Sequence, residues 1–199
     1  MPNWCSTDYR CYGNNGELVE LKEKLDYLNS LEKPLVENGF GKLWCGCLVS
    51  LLGGDWNEVH CRGEIDSYEF SGTTLCISVT SAWGELDEWR KFIKSKYPKL
   101  DIFYYAEEIG EGIYVTNDEK GIYFPNRYIL DSWKFGIEYF NDLESLVDYI
   151  YTLIGVRIKD TSIEGIRNIL KKYAKLESLE NRKEEDCYYS INEIIVESG

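Results

Sequence analysis

The chain has 199 residues with 44% hydrophobic and 15% aromatic side chains, too apolar a composition for a disordered polymer. It carries 22 basic against 35 acidic side chains, a formal charge of −13, which argues against a protein that neutralises a phosphate backbone along its length. The longest apolar runs, such as 48–52, fall well short of a membrane-spanning helix, and the opening Met1-Pro2-Asn3-Trp4-Cys5 lacks the basic and apolar regions of a secretory signal. Seven cysteines, an odd number scattered from Cys5 to Cys187, read as free thiols in a reducing cytosol. The composition therefore predicts an acidic, cytoplasmic, globular protein.

In chain order, 7–13 alternates and stops at Gly13, the pattern of a first strand. Leu18, Leu21, Leu25 and Leu28 then form one stripe of an amphipathic helix over 17–31. The glycine-rich stretch 39–57 with Trp44 and Trp56 reads as a long connection, and its tryptophans as exposed anchors for a partner. Strands are predicted over 59–70 and 73–81. A helix then carries Leu86, Trp89, Phe92, Ile93 and Tyr97 and ends at Pro98, and a strand follows from Leu100. Trp4, Trp83 and Trp89 are expected in the core. The order β, α, β, β, α, β predicts an α+β protein with a ferredoxin-like, split-βαβ antiparallel sheet and helices on one face.

Beyond this, 112–117 and 121–130 flank the turn signal 117–121 and read as a hairpin. A strand over 133–140 and a helix over 142–154, with Leu143, Leu146, Val147, Ile150 and Ile154 inward, complete a domain spanning 1–156. Thr161-Ser162-Ile163-Glu164 reads as a capping box that opens a helix to about 180, in an appendage covering 157–199. The tract 177–186 is charged and expected to fray, and 187–196 reads as a last strand or a docking tail.

The opening Met1-Pro2-Asn3-Trp4-Cys5 and its strand to Gly13, Thr80-Ser81-Ala82-Trp83 before a helix, and 97–101 leading to Tyr105-Ala106-Glu107-Glu108 together resemble the YubB-like ferredoxin-like family of plasmid and phage proteins. The resemblance spans roughly residues 1–125. It implies a ferredoxin-like fold and carriage on mobile elements, and no activity.

Charge patterning adds a functional expectation. Residues 101–156 hold only Lys120, Arg127 and Lys134 against 11 acidic side chains. Glu107, Glu108, Glu111, Asp118 and Glu119 are therefore expected, with Trp44 and Trp56, to form a partner-binding surface. Carboxylates placed where phosphates would lie can occupy a basic nucleic-acid channel, because its Lys and Arg are already arranged for negative charge. With the resemblance, this predicts an anti-CRISPR type inhibitor, a non-enzymatic protein that docks on the basic surface of a host defence nuclease complex. The alternative is an accessory protein that stacks single-stranded nucleic acid or a nucleotide on Tyr104 and Tyr105. A homo-oligomer is a further possibility in the sequence. No cofactor or metal is expected: Cys45-Gly46-Cys47 followed by His60-Cys61 has none of the usual zinc spacings, and adjacent strand residues point to opposite faces. No nucleophile signature surrounds His60, and no phosphate-binding glycine loop is present.

Overall fold

The computed structural model describes residues 3–181 and 187–197. Met1 and Pro2 of the opening motif, and 182–186 of the charged tract, lie outside the described residues. The chain divides into two compact units, one of residues 1–119 with 197–199 and one of Lys120–Val196.

The first unit contains β1 (Trp4–Gly13), α1 (Asn15–Ser30), α2 (Cys45–Leu51), β2 (Gly63–Phe70), β3 (Thr74–Ala82), α3 (Asp87–Lys96), β4 (Leu100–Glu108) and β5 (Ile113–Thr116). Its strands lie in the order β2-β3-β1-β4-β5, and each is antiparallel to its neighbour. The expected α+β class is what the structure has. Alternation sets the two faces: Cys5, Thr7, Tyr9 and Cys11 of β1 are buried, as are Leu75, Ile77 and Val79 of β3. They join the leucine stripe of α1, Leu48 and Val49 of α2, and Trp89 and Ile93 of α3 in one core. Trp89 anchors it, its ring 5.5 Å from that of Tyr9 and its indole N–H donating to the Cys45 carbonyl at 3.2 Å.

Three expectations for this unit are corrected. The stretch 39–57 is not an unbroken connection, because 45–51 forms α2. Residues 45–49 are all buried, so this helix shows no amphipathic period by which a sequence reveals it. Its Gly46 is required, since a Cβ there would collide with the Trp44 ring. Trp4 and Trp83 are not core residues. Trp4 lies out of phase with the buried residues of β1 and is 48% exposed, while Trp83 follows the end of β3 and is 60% exposed. Finally, the hairpin around 117–121 does not form.

That hairpin fails on both sides. The Asn117 side chain takes over the ladder next to β5, accepting from the Tyr104 amide at 2.8 Å and donating to the Ile102 carbonyl at 3.0 Å. On the other side, Gly121 has a left-handed φ of 65°, and Arg127 Nη1 donates to the carbonyls of Phe124 and Asn126, tying 121–127 into a loop.

The second unit has β6 (Tyr128–Ser132), β7 (Gly136–Phe140), α4 (Leu143–Ile154), α5 (Ile163–Asn181) and β8 (Tyr189–Glu193). Its sheet runs β7-β6-β8, antiparallel throughout. Leu130, Leu146, Ile150, Ile158, Ile166, Leu170 and Ile191 form its core. The predicted strand over 133–140 thus pairs with β6, and the expected last strand is β8. The division falls at 119/120 rather than at 156/157, because α5 and β8 share a core with α4 and β6. The cap of α5 also shifts by one residue: Ser162 Oγ, not Thr161, accepts the Gly165 amide at 3.1 Å.

Candidate binding cleft

A cleft of about 510 Å³ opens in the first unit where the start of β1, the β3–α3 connection and the outer strands β4 and β5 meet. Its walls carry Cys5, Glu85, Asp87, Arg90, Lys91, Tyr104, Ala106, Ile113, Val115 and Glu197. Strand alternation brings Tyr104 and Ala106 of β4 to the face that packs the helices, and β5 sets Val115 opposite Ala106. The chain leaves β3 at Ser81, whose hydroxyl donates to the Gly84 carbonyl at 2.6 Å, and this turn delivers Glu85 to the cleft. Glu197 arrives from the end of the chain, its amide donating to the Thr116 carbonyl at 2.8 Å.

The polar groups converge on Glu85 and Arg90. Glu85 Oε1 accepts from the Tyr9 hydroxyl at 2.9 Å and from Arg90 Nε at 3.0 Å. Arg90 Nη2 donates to Asp87 Oδ1 at 2.6 Å, and the guanidinium lies 4.8 Å from the centre of the Tyr104 ring. The Tyr104 hydroxyl donates to Glu197 Oε2 at 2.6 Å, and Lys91 pairs with Asp87 Oδ2 at 2.7 Å. Burial raises the Glu85 carboxyl above its usual range, with the Arg90 charge opposing it. Burial raises Tyr104 as well, helped by the Glu197 carboxylate, and burial also raises the Cys5 thiol. The site is thus a slot whose lining mixes apolar side chains with three carboxylates and two cations.

The sequence pointed elsewhere, and its candidates do not converge. Glu107 lies on the opposite face of β4, bonded by the Tyr105 hydroxyl at 3.0 Å. Glu108 is buried and accepts the amides of Gly110 at 3.1 Å and Glu111 at 2.7 Å, so it caps the β4–β5 turn. Glu111 is exposed and accepts from Asn3 Nδ2 at 2.9 Å. Asp118 is fully buried, and Glu119 is exposed. Tyr104 and Tyr105 point to opposite faces, and Tyr104 is in the core, so the two cannot stack bases together. The acid-rich stretch 101–156 is itself divided: six acids and no base fall in the first unit, five acids and three bases in the second.

Trp44 and Trp56 are brought together, edge to face at 5.3 Å, beside a second hollow lined also by Phe40, His60, Arg62 and Glu88. Trp44 is only 6% exposed, however, so it supports this hollow rather than offering a free anchor; Trp56 is the exposed partner. Among the described residues, no group of three or more His, Cys, Asp or Glu is arranged to hold a metal ion. No helix among them is long and apolar enough to cross a membrane.

Glu85, Asp87, Arg90 and Lys91 escaped the sequence reading, although Asp87 with Arg90 and Lys91 has the i,i+3 and i,i+4 spacing of helix ion pairs. For Cys5 and Glu197 no local signal exists, since only the tertiary fold brings the chain end to β5. No protein-family model, no curated protein and no solved structure matches the chain.

Proposed function

We propose that this is a non-enzymatic acidic binding protein, carried on mobile elements, that docks on the basic surface of a host nucleic-acid-handling complex and occludes it, in the manner of an anti-CRISPR inhibitor. Its first unit is read as a ferredoxin-like domain similar to the YubB-like proteins; the antiparallel order β2-β3-β1-β4, with β3 between β1 and β2, supports that reading. The observation that carries the function is charge segregation. The first unit holds 22 acidic against 11 basic side chains, and the second is nearly balanced at 13 against 11. An excess of 11 negative charges on one unit steers a basic partner and repels nucleic acid.

The test is a tagged pull-down from host lysate with and without nuclease, read by mass spectrometry. One nucleic-acid-handling complex recovered after nuclease treatment is expected; recovery only with intact nucleic acid would overturn the reading. Charge reversal belongs at exposed positions: Glu111→Lys with Glu119→Lys is expected to weaken capture, whereas reversing Glu108 or Asp118 would place a buried charge and report only on folding.

A further inference from the structure

The cleft beside Glu85 has a recognition chemistry that the proposed function leaves unassigned. Glu85 is nine-tenths buried as a side chain, and both of its hydrogen bonds fall on Oε1. Its second oxygen therefore keeps its accepting capacity and faces the open cleft, where water reaches it. Glu197 likewise uses Oε2 for Tyr104, leaving Oε1 to accept. The two cations of the cleft are already engaged, Arg90 by Glu85 and Asp87 and Lys91 by Asp87. Ala106, Ile113 and Val115 supply the apolar part of the same lining. Next in chain to the lining residue Gly84 is Trp83, 60% exposed and with φ at +76°. A left-handed bulky residue is a strained one, and it persists only where its surroundings hold it. Here the Trp83 amide is held by the Asn3 carbonyl at 2.9 Å and the Gly84 carbonyl by Ser81.

We propose that this cleft receives a single arginine or lysine side chain from the basic partner, its aliphatic stem along Ile113 and Val115 and its cationic head at Glu85 and Glu197. The proposal rests on the docking function above and names its anchor. The choice of a cation follows from charge: the cleft lining carries three carboxylates against two engaged cations, inside a unit with an excess of 11 negative charges. Long basic side chains suit such a slot, because their stems bury against apolar surface while the head keeps polar partners.

The test titrates the full chain with a blocked Gly-Ser-Arg-Ser-Gly peptide and with its citrulline counterpart, which has the same shape without the charge, and follows amide NMR signals. The arginine peptide is expected to shift Glu85, Tyr104 and Ile113 and to bind roughly tenfold or more tightly than the citrulline peptide. Glu85→Gln keeps an acceptor for Tyr9 and Arg90 and so preserves the fold, and Ile113→Trp fills the slot from its exposed rim; each is expected to remove those shifts. Equal binding of the two peptides, or shifts confined to other parts of the chain, would overturn the proposal. So would a stronger response of the same signals to a third peptide, Gly-Ser-Asp-Ser-Gly, which carries the opposite charge. The pull-down separates the two claims. A complex captured equally well by the native chain, Glu85→Gln and Ile113→Trp leaves the docking function standing and removes the cleft from it.

Discussion

Glu108 and Glu111 stand three positions apart on one short turn and do unrelated work. The Glu108 carboxylate is buried and satisfies two backbone amides that would otherwise lack partners. Glu111 sits in solvent with one amide side chain against it. Glu108→Ala is therefore expected to lower stability by about 1–3 kcal/mol, through two orphaned amides and a lost charged acceptor. Glu111→Ala should change it by less than about 0.5 kcal/mol. Urea unfolding of both variants checks the contrast. The cysteines obey the same logic. Six of the seven are buried and Cys76 is partly exposed, so a thiol reagent should label Cys76 first and the others only as the protein opens. Burial raises Cys11 to about 12, Cys61 to about 11 and Tyr97 to about 12. The unfolded chain then loses these protons first, so the stability they contribute is complete below about pH 9 and is lost as pH rises through about 11–12. The urea midpoint should fall across that alkaline window; an unchanged midpoint would contradict the burial of these groups.

At the scale of elements, period and packing divide what is legible. α1 announces itself in sequence because its leucines keep a helical period and Asn14 caps it, the side-chain oxygen accepting the Glu17 amide at 3.1 Å. Asn14→Ala is expected to cost about 1 kcal/mol, measured by thermal or urea unfolding. α2 is silent in sequence because a helix buried on all sides has no polar face to set a period. The missed hairpin is the opposite failure. Asn117 and Gly121 are good turn residues, but turn chemistry specifies a bend and leaves the partner of each flanking strand open. Here the Asn117 amide completes the β4 ladder, and β6 takes β7 and β8 as neighbours.

For the whole molecule, net charge is the property with the longest reach. An excess of 13 negative charges makes association with a basic partner a steered process. Its association rate is expected to fall by about an order of magnitude or more when salt rises from low to physiological levels, as screening shortens the field to about 8 Å. A rate insensitive to salt in stopped-flow mixing would remove electrostatic docking from the account. The tertiary structure relocates the source of that field. Sequence windows placed it over 101–156; the fold gives the six unopposed acids of 101–119 to the first unit, which also holds the smaller excess of 1–100, and leaves 120–156 in the nearly balanced second unit.

Composition, alternation and helical period were enough to establish an acidic α+β chain, the order of six of its first seven elements and the inward stripe of α1, because these depend on residues near one another in sequence. The cleft could not be read this way. Cys5, Glu85, Tyr104 and Glu197 come from four separated segments, and their meeting depends on strand register, on the turn after Ser81 and on the return of the chain end to β5. Whether an acid serves as a cap, a core residue or a ligand is likewise decided by what surrounds it, since burial and hydrogen-bond partners are properties of the folded chain and not of the residue type.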